Sequence, residues 1–153
     1  MSSSLKIKPE LLEQCHAFCQ ANLKTIQFQI QEINKALTSE TKSSAGDKHE
    51  TGRAMLHLER EKLGNQLAEH KKLQEILSRI QVNRISDVVG LGSVVYTTQA
   101  NYFVAISAGE LEVGGTIYFG ISTQTPIGKL LLGKTVNHEV VFRDQKFSIK
   151  RVI

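Results

Sequence analysis

Between positions 12 and 37 the side chains Leu12, His16, Cys19, Leu23, Ile26, Ile30, Ile33 and Leu37 recur alternately after four and three residues, and only His16 is polar. That alternation is a heptad seam, and a seam of this length demands a partner helix. Pro9 stands where such a helix can start. A helix of about 28 residues would extend roughly 42 Å at ~1.5 Å per residue. The pattern breaks in TSETKSSAG (38–46), a polar run rich in turn formers. A second, less regular apolar series follows: Leu56, Leu63, Leu67, Leu73, Ile76, Leu77 and Ile80. Two consecutive helices with facing stripes cover each other as an antiparallel hairpin. Residues 1–80 are therefore expected to form an antiparallel coiled coil whose tip lies at about 38–53.

The second half of the chain has a different period. Residues 1–80 hold one proline and three glycines, whereas 84–153 hold eight glycines and the other proline. Segments 88–98, 101–107, 116–122, 136–143 and 146–152 are rich in Val, Ile, Tyr and Phe and read as strands. Gly114-Gly115 and Arg143-Asp144-Gln145 read as hairpin turns. Between the third and fourth segments, TPIGKLLLG (125–133) reads as a short helix with Pro126 in its first turn and Gly133 at its end. The expected fold is α+β: a helical hairpin, then a small, mostly antiparallel β domain at 84–153 carrying one short helix.

Composition narrows the class. The 153 residues carry 19 Lys and Arg against 15 Asp and Glu, a formal charge of +4, which permits contact with RNA or DNA without requiring it. No apolar run nears the ~20 residues that span a bilayer, and the first residues lack the apolar core of an export signal. Cys15 and Cys19 lie four apart on one helical face, a poor geometry for a mutual disulfide and half of a zinc site at most. They read as plain packed thiols, and the expected compartment is cytoplasmic.

Two motifs require a decision. GKLLLGKT (128–135) matches the Walker A pattern, but a phosphate-cradling loop must lead into a helix, and here a strand follows. Nucleotide binding is rejected on that ground. His16, His49, His57, His70 and His138 are scattered, and no nucleophile–base spacing occurs. The tip is more informative. Asp47 and Glu50 stand three apart at the start of the second helix, where acids also complement the helix dipole. As a magnesium site the pair is incomplete, because the ion takes octahedral oxygen ligands and a partner would have to supply the rest.

GDKHE (46–50) resembles the GDxxE tip of the bacterial Gre transcript-cleavage factors, the GreA/GreB family. Ile121-Ser122, Thr125-Pro126-Ile127-Gly128 and Leu130-Leu131-Leu132-Gly133-Lys134 with Val136 are similar to that family's C-terminal signature. VVGLGSVVY (88–96) is similar to the start of its second domain, so the resemblance spans nearly the whole chain. It implies a coiled coil joined to an FKBP-like domain that docks on RNA polymerase while the coiled coil enters the secondary channel. It implies catalytic roles for Asp47 and Glu50 as auxiliary metal or water ligands, with Mg²⁺ shared with the polymerase. The expected activity is stimulation of the polymerase's own cleavage of backtracked nascent RNA, so the chain would be an accessory factor rather than an enzyme. Ser122, Thr125, Pro126, Ile127, Gly133 and Lys134 become candidate docking residues. Lys35, Lys48 and Arg53 become candidate contacts to RNA.

The chain departs from the family pattern at Lys48 between the acids, at Arg53 and Ala54 beyond them, and at Asn137-His138 where the family has Gly-Asp. Cations beside the carboxylates weaken divalent binding by repulsion. The alternative function is therefore a non-catalytic regulator that occludes the same channel. A prolyl isomerase or folding helper is a third reading, disfavoured because the strands supply few aromatic residues and no Trp. Glutamates are interspersed among the stalk lysines and arginines, which also fits an ordinary solvated mixed-charge face.

Overall fold

The computed structural model describes the backbone of residues 2–42 and 46–153 and the side chains of 6–39 and 50–153. The element order is α1 (Ser2–Lys42), α2 (Gly46–Ser78), β1 (Val94–Thr97), β2 (Asn101–Ala105), β3 (Gly109–Val113), β4 (Thr116–Ser122), α3 (Pro126–Leu131), β5 (Glu139–Phe142) and β6 (Gln145–Val152). The fold is α+β: two long packed helices, then a six-stranded, mostly antiparallel sheet with one short helix. By packing, the chain divides into two compact units, residues 1–18 with 75–153, and residues 19–74. The divisions fall inside α1 and α2, whereas composition changes only at 81–87.

Both long helices exceed their sequence-based limits. α1 begins at Ser2 with Pro9 inside it, so Pro9 does not mark the start. A proline there removes one hydrogen-bond donor early in the helix, a local loss the rest of a 41-residue helix tolerates. At the other end α1 continues through Thr38 to Lys42 and α2 opens at Gly46, so helix extends into the polar 38–46 run where the apolar pattern breaks. Thr38 is accommodated within the helix, its hydroxyl donating back to the Asn34 carbonyl at 3.0 Å.

In the 19–74 unit, Ile26, Ile33 and Leu63 form a buried cluster, with Ile30, Leu37, Leu56 and Leu67 packed against it. Arg60 Nε donates to Asn34 Oδ1 at 2.9 Å and Arg53 Nη1 to the Leu37 carbonyl at 3.2 Å. Rising numbers on α1 meet falling numbers on α2, which makes the pair antiparallel. The seam from Cys19 to Leu37 follows the expected positions.

Nearer the N-terminus the seam needs correction. Leu11 and Cys15 are fully buried, Leu12 is half-buried and His16 is exposed. Positions 11, 15, 19 and 23 are spaced by four, so the buried line winds around the helix instead of following a strict heptad. Within its own unit this part of α1 lies on the sheet. The Gln14 side chain donates to the Glu112 carbonyl at 2.8 Å and accepts from the Glu112 N–H at 3.3 Å. One amide thus occupies both backbone groups of a residue on β3, an edge strand that would otherwise present them unpaired.

The sheet order is β3-β4-β2-β1-β6-β5, antiparallel except for β2 with β4. Five strands were expected and six occur, because β3 (GELEV) carries one buried residue, Leu111, between exposed glutamates. The first and fourth strands are also shorter than expected, since 88–93 and 136–138 are turn-like loops. Both expected hairpin turns are present. Gly114 and Gly115 have φ of 58° and 80°, and Arg143 and Asp144 have 53° and 65°, the paired left-handed conformation that matches strand twist. Val95, Val104, Ile121, Phe147 and Ile149 alternate onto the face covered by Leu131 of α3. On the opposite face, Tyr96 and Tyr118 line a cavity with Ile7 and Glu10 of α1, and their hydroxyls lie 3.1 Å apart.

α3 is fixed by close approach. Thr125 Oγ1 accepts from the Gly128 N–H at 3.2 Å and donates to the Ser122 carbonyl at 2.7 Å, and a Cβ at Gly128 would collide with that same Ser122 oxygen. Gly64, midway along α2, has nothing within 4 Å of an added Cβ. We expect Gly128→Ala to cost about 3 kcal/mol and Gly64→Ala to add about 1 kcal/mol, opposite shifts in urea midpoint from the same chemical change.

Candidate functional site

α2 starts with Gly46, so positions 47 and 50 occupy the first turn of a helix that follows directly on the connection between α1 and α2. Three residues along an α-helix is close to one full turn, which sets the two positions on neighbouring rows. Glu50 is exposed. The side chains of Asp47 and Lys48, both site residues from the sequence, lie outside the described residues, as does that of His49. Among the described residues, no three metal-ligating side chains converge.

The candidate cations differ from one another. Arg53 is half-buried, with one guanidinium nitrogen spanning the hairpin to the Leu37 carbonyl. That bond ties the start of α2 to the last turns of α1, so Arg53 has a structural duty at the place where an RNA contact was expected. Lys35 is exposed and lies 3.4 Å from Glu32, one turn away on the same helix. Lys72 with Glu69 at 3.4 Å and Arg79 with Glu75 at 2.6 Å repeat the pattern. Exposed pairs of this kind contribute little stability and describe a solvated, mixed-charge surface.

The six candidate docking residues meet around α3. Ser122 ends β4 and Thr125 caps the helix, while Pro126 occupies its first turn and is exposed. Ile127 packs against the core cluster. Gly133 has φ of 79° and donates its N–H to the Val89 carbonyl, and the Lys134 carbonyl accepts from the Val89 N–H, both at 2.9 Å. Most of this string therefore builds a strand–turn–helix joint. Sequence reasoning missed the exposed apolar side chains beside it: Leu130, Leu132 and Val136 are each 37–41% exposed. Their signal was the run LLLG, in which only Leu131 points into the core.

The same geometry accounts for GKLLLGKT. Its first four residues lie in α3, its GKT forms the exit turn, and β5 comes next. The helix precedes the supposed phosphate loop instead of following it, so the amide donors of a phosphate cradle are not assembled. Asn137 has φ of 74°, a conformation glycine adopts freely and asparagine tolerates. His138 Nδ1 accepts from the Thr135 N–H at 3.0 Å, closing the turn as a carboxylate oxygen would.

Cys15 and Cys19 are both fully buried and are not joined in a disulfide, as expected of packed cysteines, and burial pushes the Cys19 thiol up in pKa. No helix is long and apolar enough to cross a membrane among the described residues. Comparison with known proteins finds no family model and no curated relative that matches the chain.

These geometries separate support from display. Arg53→Ala should cost about 1 kcal/mol by removing the cross-hairpin hydrogen bond, and Glu50→Gln should stay within about 0.5 kcal/mol, as exposed substitutions usually do. Thermal unfolding of the two variants beside the parent chain checks the contrast.

Proposed function

We propose that the chain is an RNA polymerase accessory factor of the Gre type, which inserts its helical hairpin into the polymerase's secondary channel and promotes cleavage of backtracked nascent RNA. The observation that carries this reading is the position of Asp47 and Glu50. They lie in the first turn of α2, next to the short connection of an antiparallel hairpin, in a sequence that resembles the family's tip. From Cys19 to Lys42 the α1 part of the hairpin unit extends about 36 Å at ~1.5 Å per residue. A narrow channel admits such an element more readily than a globular body.

Further support comes from the C-terminal string. Its residue types answer specific backbone needs here: Thr125 caps, Gly128 admits the Ser122 carbonyl, and Gly133 takes a left-handed φ. The departure at Asn137-His138 is mild in physical terms, since Asn137 accepts the left-handed backbone and His138 accepts the turn's N–H. In this reading the β unit, as the FKBP-like module, docks on the polymerase. Its exposed Leu130, Leu132 and Val136 give that docking an apolar component beside Pro126.

The donor set suits Mg²⁺ in kind, being hard carboxylate oxygens, and falls short in number, since two side chains cannot fill six positions. The ion, completed by the polymerase's own ligands, supplies activation of an attacking water and stabilisation of the leaving oxygen. The part left to this chain is positional. An exposed carboxylate such as Glu50 presents two acceptor oxygens that orient a water by its hydrogens. The protein acts in cleavage as an accessory to the polymerase and not as an enzyme alone, in the reducing, cytoplasmic setting that two buried cysteines without a disulfide favour.

Arg53 favours the second reading, a regulator that occludes the channel without assisting cleavage. Its guanidinium stands three residues along the helix from Glu50 and opposes accumulation of a divalent ion. A halted elongation complex distinguishes the two. Addition of the protein should shorten the stalled transcript in a Mg²⁺-dependent manner, and the double variant Asp47→Asn, Glu50→Gln should lose at least tenfold of that rate while still binding polymerase. Binding without shortening by the parent protein selects occlusion, and absence of polymerase binding defeats both readings.

A further inference from the structure

The β-containing unit carries an open, polar cavity of about 270 Å³ whose lining includes Lys8, Arg79, Gln81, Arg84, Ser86 and Ser93. Three of its side chains are cationic, and among the described residues no Asp or Glu lines it. Lys8 is the unusual member. It is only 3% exposed, and its ammonium donates to the Arg84 carbonyl at 2.8 Å, its one hydrogen-bond partner among the described residues. An ammonium has three N–H donors, so two remain for another acceptor. Burying a cation with no counter-charge is expensive, and burial accordingly pushes the Lys8 pKa down.

The surrounding groups are arranged in kind for an anion. Arg79 is partly neutralised by Glu75 at 2.6 Å, whereas Arg84 is exposed and has no carboxylate partner among the described residues. Ser93 is buried, and its Oγ accepts from the Gly90 N–H at 3.0 Å, which leaves its own hydrogen for a further acceptor. A buried ammonium, a guanidinium fork and a hydroxyl are the donors that bind phosphate oxygens. At ~30 Å³ per water, the cavity holds roughly nine waters' volume, room for a diphosphate group.

We propose that this cavity is a binding site for the diphosphate group of a small molecule, with Lys8 and Arg84 as its principal cationic contacts. It is separate from the hairpin's carboxylates and independent of their role. The deep position of Lys8 suits a compact anion better than a nucleic-acid backbone, which needs an open groove in which a row of cations tracks successive phosphates.

Titration calorimetry of the full chain with inorganic pyrophosphate, at constant ionic strength, tests the site, and a second titration with a nucleoside diphosphate distinguishes a free anion from an esterified one. Saturable binding to one site is expected, weakened at least tenfold in both Lys8→Met and Arg84→Gln. Arg84→Gln changes an exposed side chain and keeps the test valid even if Lys8→Met does not fold. Absence of saturable binding, unchanged affinity in folded Arg84→Gln, or equal Lys8-dependent binding of single-stranded RNA lacking a terminal phosphate would overturn the proposal.

Discussion

A helix of 41 residues with an apolar line along it is unstable in water until that line is covered, and most of this structure answers that constraint. Within the 19–74 unit the cover is α2, through Ile26, Ile33 and Leu63. Within the other unit Leu11 and Cys15 are fully buried, and Gln14 occupies the edge of β3. Buried positions are spaced by seven in one stretch, at Ile26 and Ile33, and by four in the other, at Leu11 and Cys15. A strict heptad suits a helix partner.

Polar groups then fix register where apolar contact alone would let the helices slide. Arg53 and Arg60 each reach across to a polar group on α1, one to a carbonyl and one to a side-chain amide oxygen. The Arg53 bond lies toward the connection, where Leu37 and Leu56 are only partly buried. In the β unit the corresponding device is the Ser122–Thr125–Gly128 joint, in which one carbonyl and one hydroxyl hold α3 so closely that no side chain is admitted. The candidate docking string is therefore a structural device as well as an exposed surface.

Some features were legible because a local rule decides them. The two paired left-handed turns follow from Gly114-Gly115 and Arg143-Asp144 between strands, and the ends of α3 follow from Thr125-Pro126 and Gly133. The seam from Cys19 to Leu37 was legible because its partner is another helix of the same period. The extra strand was not. GELEV has a single buried residue and glutamates facing water, and it becomes a strand because β4 pairs along its whole length. Lys8 was equally silent, since a lysine near a chain start reads as solvated until three separate segments are seen to bury it.

The sequence by itself determined the change of period from helix to strand, the antiparallel hairpin, and the presence of two acids in the first turn of the second helix. These depend on spacing along the chain, which folding does not alter. Tertiary structure alone decided that Arg53 braces the hairpin, that Gln14 of α1 bonds the edge of β3, and that Lys8 is buried beside a cationic cavity. Each of those depends on which distant residues come to lie within a few ångströms, and desolvation and hydrogen bonding act only once that proximity exists.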